Sequence, residues 1–194
     1  MKFRKDSNII LISVGAEGFL ALLFFIWAHL HDLPFETFPS FSDIQNGFLF
    51  SLPLFGLNFI LFGLVSDRYP SFGSFRYLRD NVVKPLADEL NIVTALIISF
   101  CAGFGEELFF RGLVQAELGI IISALLFALL HFGTAVRRFA LVAIVYFVIG
   151  LYFSQITLEG HGLWVPIITH FFYDFTILIY MRYFYRYKSE RIVS

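Results

Sequence analysis

Three polar residues able to do chemistry lie in one hexapeptide, Glu106 to Arg111, within a long apolar stretch. Two adjacent carboxylates and a guanidinium occur there, and their neighbours are almost all aliphatic or aromatic. A charged side chain at the centre of a membrane-spanning helix costs roughly 2.5 to 3.5 kcal/mol. Three such groups therefore need partners within the protein or a chemical purpose.

Helical spacing places the two glutamates of this hexapeptide on different faces. Glu107 and Arg111 are four residues apart, so they can form an ion pair along one side of a helix. Glu106 lies about 100° round the helix from Glu107 and faces elsewhere. Taken alone, these residues are equally well explained as a structural ion-pair network between helices.

Two further pairs of residues show the same four-residue spacing. Phe127 precedes His131, and His170 precedes Asp174, so each pair shares one helical face. Glu106 and His131 lie almost equally far along the chain from a break at Leu118-Gly119, which puts both about 18 to 20 Å from that turn. An acid, two imidazoles and a second acid from three helices form a centre that can activate water or bind a metal.

The composition indicates which elements must position this centre. Of 194 residues, 58% are hydrophobic and 27 are phenylalanine, and the mean hydropathy is +0.77, which is too apolar for an ordinary soluble domain. We predict an all-α, polytopic membrane bundle of about six transmembrane helices, with residues 1–194 as a single membrane domain. The catalytic core would occupy about 91–183. The net charge of −1 and the short basic clusters give no reason to expect nucleic-acid binding.

Apolar runs predict the positions of the spans, at about 9–30, 44–65, 92–117, 120–132, 139–156 and 166–183. Residues 67–91 combine Arg and Lys with apolar residues at three- and four-residue steps, which predicts an amphipathic helix in the membrane interface, bent at Pro85. Glu17 lies near the middle of the first span. We expect it to hydrogen-bond a neighbouring helix, and a contribution to a polar cavity is the alternative.

The basic residues predict how the bundle is oriented. In this six-span arrangement, 13 of the 14 Lys and Arg residues fall on one side, and Arg111 is the exception. The positive-inside rule then predicts a multi-pass integral membrane protein with both termini in the cytoplasm. We interpret the remaining histidines, His29, His31 and His161, as solvated or interfacial.

The motifs together resemble those of the CPBP intramembrane proteases, a family that includes the CaaX prenyl-protein endopeptidases and many bacterial Abi-type proteins. The shared patterns are Glu-Glu-x-x-x-Arg, Phe-x-x-x-His and His-x-x-x-Asn/Asp. All three occur in order in apolar helices and cover about half of the chain. The matching positions are Glu106, Glu107, Arg111, Phe127, His131, His170 and Asp174.

This resemblance implies an intramembrane endopeptidase that cleaves a membrane-associated protein or peptide within the lipid bilayer. It implies that Glu106 and His131 activate the attacking water, and that His170 and Asp174 stabilise the oxyanion or complete the site. It further implies a supporting set that acts behind the first glutamate, namely Glu107, Arg111 and Phe127.

Asp174 departs from the pattern, because the prenyl proteases have Asn at this position. An ionised Asp would repel an oxyanion, so it must be protonated, orient His170, or ligate a metal. The chain has no His-Glu-x-x-His signature of zinc proteases, although Glu106, His131, His170 and Asp174 are chemically adequate zinc ligands. We favour a glutamate-type hydrolase with Glu106 as general base, which requires no cofactor and assigns no metal ligand. A zinc metalloendopeptidase is the alternative.

Two readings without proteolysis are also open. A catalytically silent membrane scaffold, or an immunity or regulatory protein of the same fold, would keep the bundle and the motifs without turnover. A transporter would also bury acids and histidines, but the chain shows no inverted repeat and no paired broken helices. The scaffold is therefore the stronger rival to the protease.

Overall fold

Helices make up nearly all of the computed structural model, which describes residues 2–33, 35 and 38–185; no strand occurs among these residues. Five helical segments are long and apolar enough to cross a membrane, and the longest folds back on itself. The predicted all-α membrane bundle is confirmed, and the protein is an integral membrane protein. The five segments are Leu11–Leu30, Phe41–Arg68, Ile92–Arg137, Ala140–Glu159 and Trp164–Tyr183.

The first two helices, α1 (Lys2–Leu30) and α2 (Phe41–Arg68), precede the residues of the motifs. Ser40 caps α2 because its hydroxyl accepts a hydrogen bond from the backbone N–H of Asp43, while the Asp43 carboxylate accepts one from the Ser40 N–H at 2.7 Å. This reciprocal capping box fixes where α2 begins. Beyond Asn58 the helix widens over Phe59–Val65 into a π-helical segment.

The predicted interfacial segment forms α3, which runs over residues 73–89 as Gly73–Leu78, Arg79–Val83 and Lys84–Glu89. Its middle part is π-helical and ends two residues before Pro85, which has no N–H to donate to the preceding turn. Arg79 is only 2% exposed and pairs with Asp67 and Asp80, both at 2.8 Å. Burial alone would lower the pKa of Arg79, but the hydrogen bonds to Asp80 and Asp67 raise it above its ordinary value. The contact with Asp67 holds α3 against the end of α2.

The motif helices form a hairpin that reverses at Gly119, as the sequence predicts. Before the turn, α4 begins as Ile92–Glu107, widens over Leu108–Val114 and ends at Leu118; after it, α5 runs from Ile120 to Phe132. Gly119 has φ 81° and ψ 171°, a conformation that only glycine adopts readily. The hydroxyl of Ser123 donates to the Phe110 carbonyl at 2.7 Å, which satisfies an acceptor in the widened part of α4.

Small residues let α4 occupy the centre of the bundle. The last two helices are α6 (Ala140–Ile156) and α7 (Trp164–Tyr183). A Cβ atom at Gly103 would lie 2.7 Å from the Ile167 carbonyl oxygen of α7, and one at Gly105 would lie 2.5 Å from the Glu17 carbonyl oxygen of α1. Both distances are shorter than any real Cβ contact, so α4 lies between α1 and α7 only because glycine is present at both positions.

Part of the charge pattern falls outside the described residues. Arg186, Lys188 and Arg191 follow the last described residue, and the side chains of Lys2, Arg4 and Lys5 are not described either. The cytoplasmic location of the termini and the single-domain extent of residues 1–194 therefore stay predictions.

Candidate active site

Glu106 and His131 face each other across the α4–α5 hairpin. Glu106 Oε2 lies 3.7 Å from His131 Nε2, so the hairpin brings both side chains to one depth, as their spacing predicts. His131 Nδ1 lies 2.8 Å from the Phe127 carbonyl oxygen. Because a carbonyl can only accept, Nδ1 carries a hydrogen, and Nε2 is the nitrogen that faces Glu106.

Glu107 and Arg111 form the ion pair that their spacing predicts. Arg111 Nε lies 3.1 Å from Glu107 Oε2, and neither side chain has any solvent exposure. The contact lacks the alignment of a hydrogen bond. Arg111 Nη2 donates to the Gly150 carbonyl of α6 at 3.2 Å, and the guanidinium lies 4.7 Å from the ring centre of Phe127 and 5.0 Å from that of Phe153. These contacts fix the guanidinium from three helices.

His170 connects this ion pair to Asp174. Its Nδ1 lies 2.8 Å from Glu107 Oε1, and its Nε2 lies 3.5 Å from Asp174 Oδ2. The ring is almost fully buried, at 5% exposure, and stacks on Phe153 with ring centres 5.1 Å apart. Because a carboxylate only accepts, Nδ1 donates to Glu107. Glu107 therefore orients the imidazole of α7.

The direct contacts of Glu107 differ from the role that the resemblance implies. The resemblance implies support of Glu106 by Glu107 and Arg111, yet Glu107 contacts Arg111 and His170. The physical reason is the helical face: adjacent residues diverge by about 100°, so Glu106 turns to α5 and Glu107 to α7. The two neighbouring acids of α4 therefore contact two different imidazoles, one on α5 and one on α7.

Phe127 separates the two imidazoles. Its ring centre lies 4.6 Å from that of His131 and 6.3 Å from that of His170, and the residue is 2% exposed. Together with the Arg111 guanidinium on the same ring, these contacts make Phe127 the packing centre of the site.

Two cavities border these residues. One of about 160 Å³ is lined by Leu20, Glu106, Phe110, Leu130 and His131. The other, of about 190 Å³, is lined by apolar side chains of α2, α3, α4 and α7 and by four polar residues, Asn58, Tyr146, Tyr173 and Asp174. A cavity of roughly 10 to 15 Å³ is enough to hold one water molecule. Each of these two cavities can therefore hold several waters or part of a ligand.

The acids and imidazoles that could serve as metal ligands lie in two separate pairs. Glu106 pairs with His131, and His170 pairs with Asp174. Within residues 2–33, 35 and 38–185, no three side chains of His, Cys, Asp or Glu are arranged to hold a metal ion.

Glu17 is the residue near the site that the sequence did not assign to it. The expected hydrogen bond to a neighbouring helix is not found at its Oε2, which is buried without a partner. Glu17 packs against Gly105 of α4, directly before Glu106, and the alternative of a contribution to a polar cavity stays a prediction. A carboxylate in the middle of an apolar span was the feature of the sequence that could have pointed to Glu17. The sequence does not reveal which helix α1 packs against, so it could not place Glu17 near the site.

Comparisons with known proteins cover the same helices. Residues 88–176, which contain all seven motif positions, match the family model described as Type II CAAX prenyl endopeptidase Rce1-like. The Uncharacterized protein YpbD of Bacillus subtilis (strain 168) is 29% identical over 105 residues, or 53% of this chain and 53% of that protein. The matched region thus spans about half the length of this curated relative. No solved structure matches the chain significantly.

Proposed function

The resemblance to the CPBP intramembrane proteases is confirmed over residues 88–176, which match the Rce1-like family model, and from this premise we propose that the protein is an intramembrane endopeptidase. Its substrate would be a membrane-associated protein or peptide, and its nucleophile a water activated by Glu106 and His131. The observation that carries the proposal is the approach of Glu106 Oε2 to within 3.7 Å of His131 Nε2, beside a cavity that both residues line.

The attack step uses Glu106 as general base. A water held between Glu106 and His131 transfers one proton to the Glu106 carboxylate while its oxygen forms a bond to the scissile carbonyl carbon. The π electrons of the carbonyl move to its oxygen, which becomes an oxyanion. His131 is suited to hold the water, because its Nδ1–H donates to the Phe127 carbonyl and this fixes the direction of Nε2.

His170 would stabilise the oxyanion. Because its Nδ1–H donates to Glu107, His170 can donate from Nε2 only as an imidazolium. That N–H would be shared between Asp174 and the oxyanion. Glu107, which is held by Arg111, places a negative charge next to Nδ1 of His170 and keeps the imidazole ring oriented.

Collapse of the tetrahedral intermediate completes the reaction. The oxyanion re-forms the carbonyl, the C–N bond breaks, and the proton held by Glu106 passes to the leaving nitrogen. The products are one carboxyl group and one amine, and Glu106 regains its ionised form. The glutamate route therefore balances without a metal. In the metalloenzyme alternative, Glu106, His131, His170 or Asp174 would be ligands instead.

The test is cleavage of membrane-anchored peptides by purified protein in lipid vesicles. Glu106→Gln and His131→Ala should each lower turnover by about 100-fold or more while the melting temperature stays near that of the wild type. Glu117→Gln is the matched control, because this half-exposed carboxylate contacts Trp27 and His31 away from the site. A stable wild type that cleaves nothing would instead support the scaffold or immunity role.

A further inference from the structure

Four exposed arginines lie on three segments at one end of the bundle. They are Arg68 at the end of α2, Arg76 of α3, and Arg137 and Arg138 in the turn between α5 and α6. Two apolar segments end at Arg68 and Arg137, and the next begins at Ala140. These four residues, the arginine patch, therefore lie where the protein leaves the hydrocarbon region of the membrane.

An apolar cluster holds the three segments together. Its buried residues include Phe62 of α2, Phe75 of α3 and Phe139 of the turn, and the ring centres of Phe62 and Phe75 lie 5.0 Å apart. Tyr77 of α3 also packs on the turn, because its ring centre lies 5.9 Å from that of Phe139. The arginine patch is therefore one surface, which three contacting segments form.

The carboxylates near the patch are paired with buried bases. Asp67 and Asp80 pair with Arg79. Asp88 pairs with Lys84, which is 6% exposed. Within the part of the chain that the structure describes, no carboxylate forms an ion pair with a guanidinium of the arginine patch. The positive charge of the patch therefore has no counter-ion among these residues.

Tyr77 restrains one guanidinium of the patch. The Arg138 guanidinium lies 4.2 Å from the centre of the Tyr77 ring, which is a cation–π contact. A guanidinium held in this way can donate two N–H groups to one phosphate. Arg76 directly precedes Tyr77 and is exposed, so α3 supplies a second guanidinium close to the first.

We propose that the arginine patch binds the phosphate of an anionic phospholipid, with Arg76 and Arg138 as its main donors. The location favours a lipid, because the patch lies at the end of the membrane-spanning segments, where positive side chains are attracted to anionic head groups. Tyr69 and Tyr77 are both exposed there, and aromatic side chains with a polar group are enriched at the head-group level. This inference is independent of proteolysis.

The test measures lipid binding by the purified protein in a neutral detergent. Dioctanoyl phosphatidylglycerol should bind and raise the melting temperature, whereas dioctanoyl phosphatidylcholine should have a much smaller effect, because its choline cation cancels the charge of the phosphate. One arginine near an anionic surface contributes about a factor of five in affinity, so Arg76→Gln combined with Arg138→Gln should weaken phosphatidylglycerol binding by about 20- to 30-fold. Arg76→Gln alone should weaken it by about 5-fold.

Lys2→Gln combined with Lys5→Gln is the matched control. It removes the same charge from α1, outside the patch, and should leave phosphatidylglycerol binding within about 2-fold of the wild type. Tyr77→Leu keeps both arginines but removes the ring beneath Arg138, so it should weaken binding by about 2- to 5-fold. Because the substituted arginines are exposed, the melting temperatures without lipid should stay near that of the wild type.

Three results would overturn the proposal. Equal binding of the two lipids by the wild type would show that the patch does not recognise negative charge. Equal losses in the two double variants would show an effect of net charge alone. Displacement of the lipid by an equal concentration of glycerol 3-phosphate would show a site for free phosphates and not for a phospholipid.

Discussion

Glu107 Oε1 accepts a hydrogen bond from His170 Nδ1 at 2.8 Å, although the two residues lie 63 positions apart in the chain. This bond joins α4 to α7 in the interior of the bundle, and the Glu107 side chain has no solvent exposure. A buried carboxylate that loses its partners becomes an unpaired charge, which is among the most destabilising changes in a protein. Glu107 therefore links the stability of the bundle to the orientation of an imidazole in the site.

Removal of Arg111 should destabilise the fold and not only the activity. Arg111→Ala leaves Glu107 with His170 as its remaining partner, at a cost on the order of 3 to 5 kcal/mol. Glu107→Gln combined with Arg111→Met should unfold at a higher temperature than Arg111→Ala, because neither charge is then buried alone. The double variant should still be impaired in turnover, since His170 loses the carboxylate that accepts from its Nδ1 and orients its ring. Thermal unfolding and peptide cleavage measure the two effects, and strictly additive losses of stability would show that the residues do not pair.

Insertion of one methyl group at Gly103 should displace α7. Its Cβ would lie 2.7 Å from a backbone oxygen of Ile167, so Gly103→Ala should cost roughly 1 to 3 kcal/mol and lower turnover as His170 moves away from Glu107. Gly18→Ala in α1 and Gly56→Ala in α2 are the matched controls, because nothing lies within 4 Å of a Cβ at either position. Both controls should unfold at or above the wild-type temperature. Equal behaviour of all three variants would contradict the close approach of α4 and α7.

Truncation of Phe127 should affect activity beyond its effect on stability. Phe127→Ala removes the ring that contacts both imidazoles and the Arg111 guanidinium, at a cost of roughly 3 to 5 kcal/mol. Phe127→Leu keeps most of the volume and should retain the fold. We expect the Leu variant to lose turnover because the imidazoles are no longer held apart by a planar ring. Wild-type kcat in a folded Leu variant would argue against this role.

Asp174→Asn distinguishes the two chemistries. In a glutamate-type site, Asn supplies a neutral donor beside the oxyanion, so activity should be preserved or raised. In a zinc site, Asn removes an anionic ligand, so activity should fall and chelators should silence the wild type. Both proteins are assayed with and without chelator. Inactive Asp174→Asn, together with a wild type that is silenced by chelator and restored by zinc, would replace the glutamate mechanism and leave the protease assignment intact.

The orientation of the bundle can be tested with a reporter fused after Ser194. The excess of Lys and Arg on one side predicts that this fusion is active in the cytoplasm and that the loop around His161 faces the opposite side. A fusion active only on the outer side would overturn the six-span arrangement.

The sequence predicted the structure correctly wherever a feature depends on one helix or one tight turn. The reversal at Gly119 and the pairing of Glu107 with Arg111 follow from local spacing, and the structure contains both. The contact between Glu107 and His170 and the packing of Glu17 against Gly105 depend on which helices are neighbours. That choice is made by Gly103 and Gly105, whose meaning becomes visible only when the helices that pack on them are known.

The hairpin of α4 and α5 also determines the order in which the site is built during synthesis. Glu106 and His131 lie on two adjacent helices joined by a single turn at Gly119, so they meet as soon as the ribosome has delivered that hairpin to the bilayer. His170 arrives later, on α7, and only then does Glu107 gain its second partner. A nascent chain therefore carries the pair proposed to bind water without the group proposed to hold the oxyanion. The proposed site is complete only when α7 has packed against Gly103.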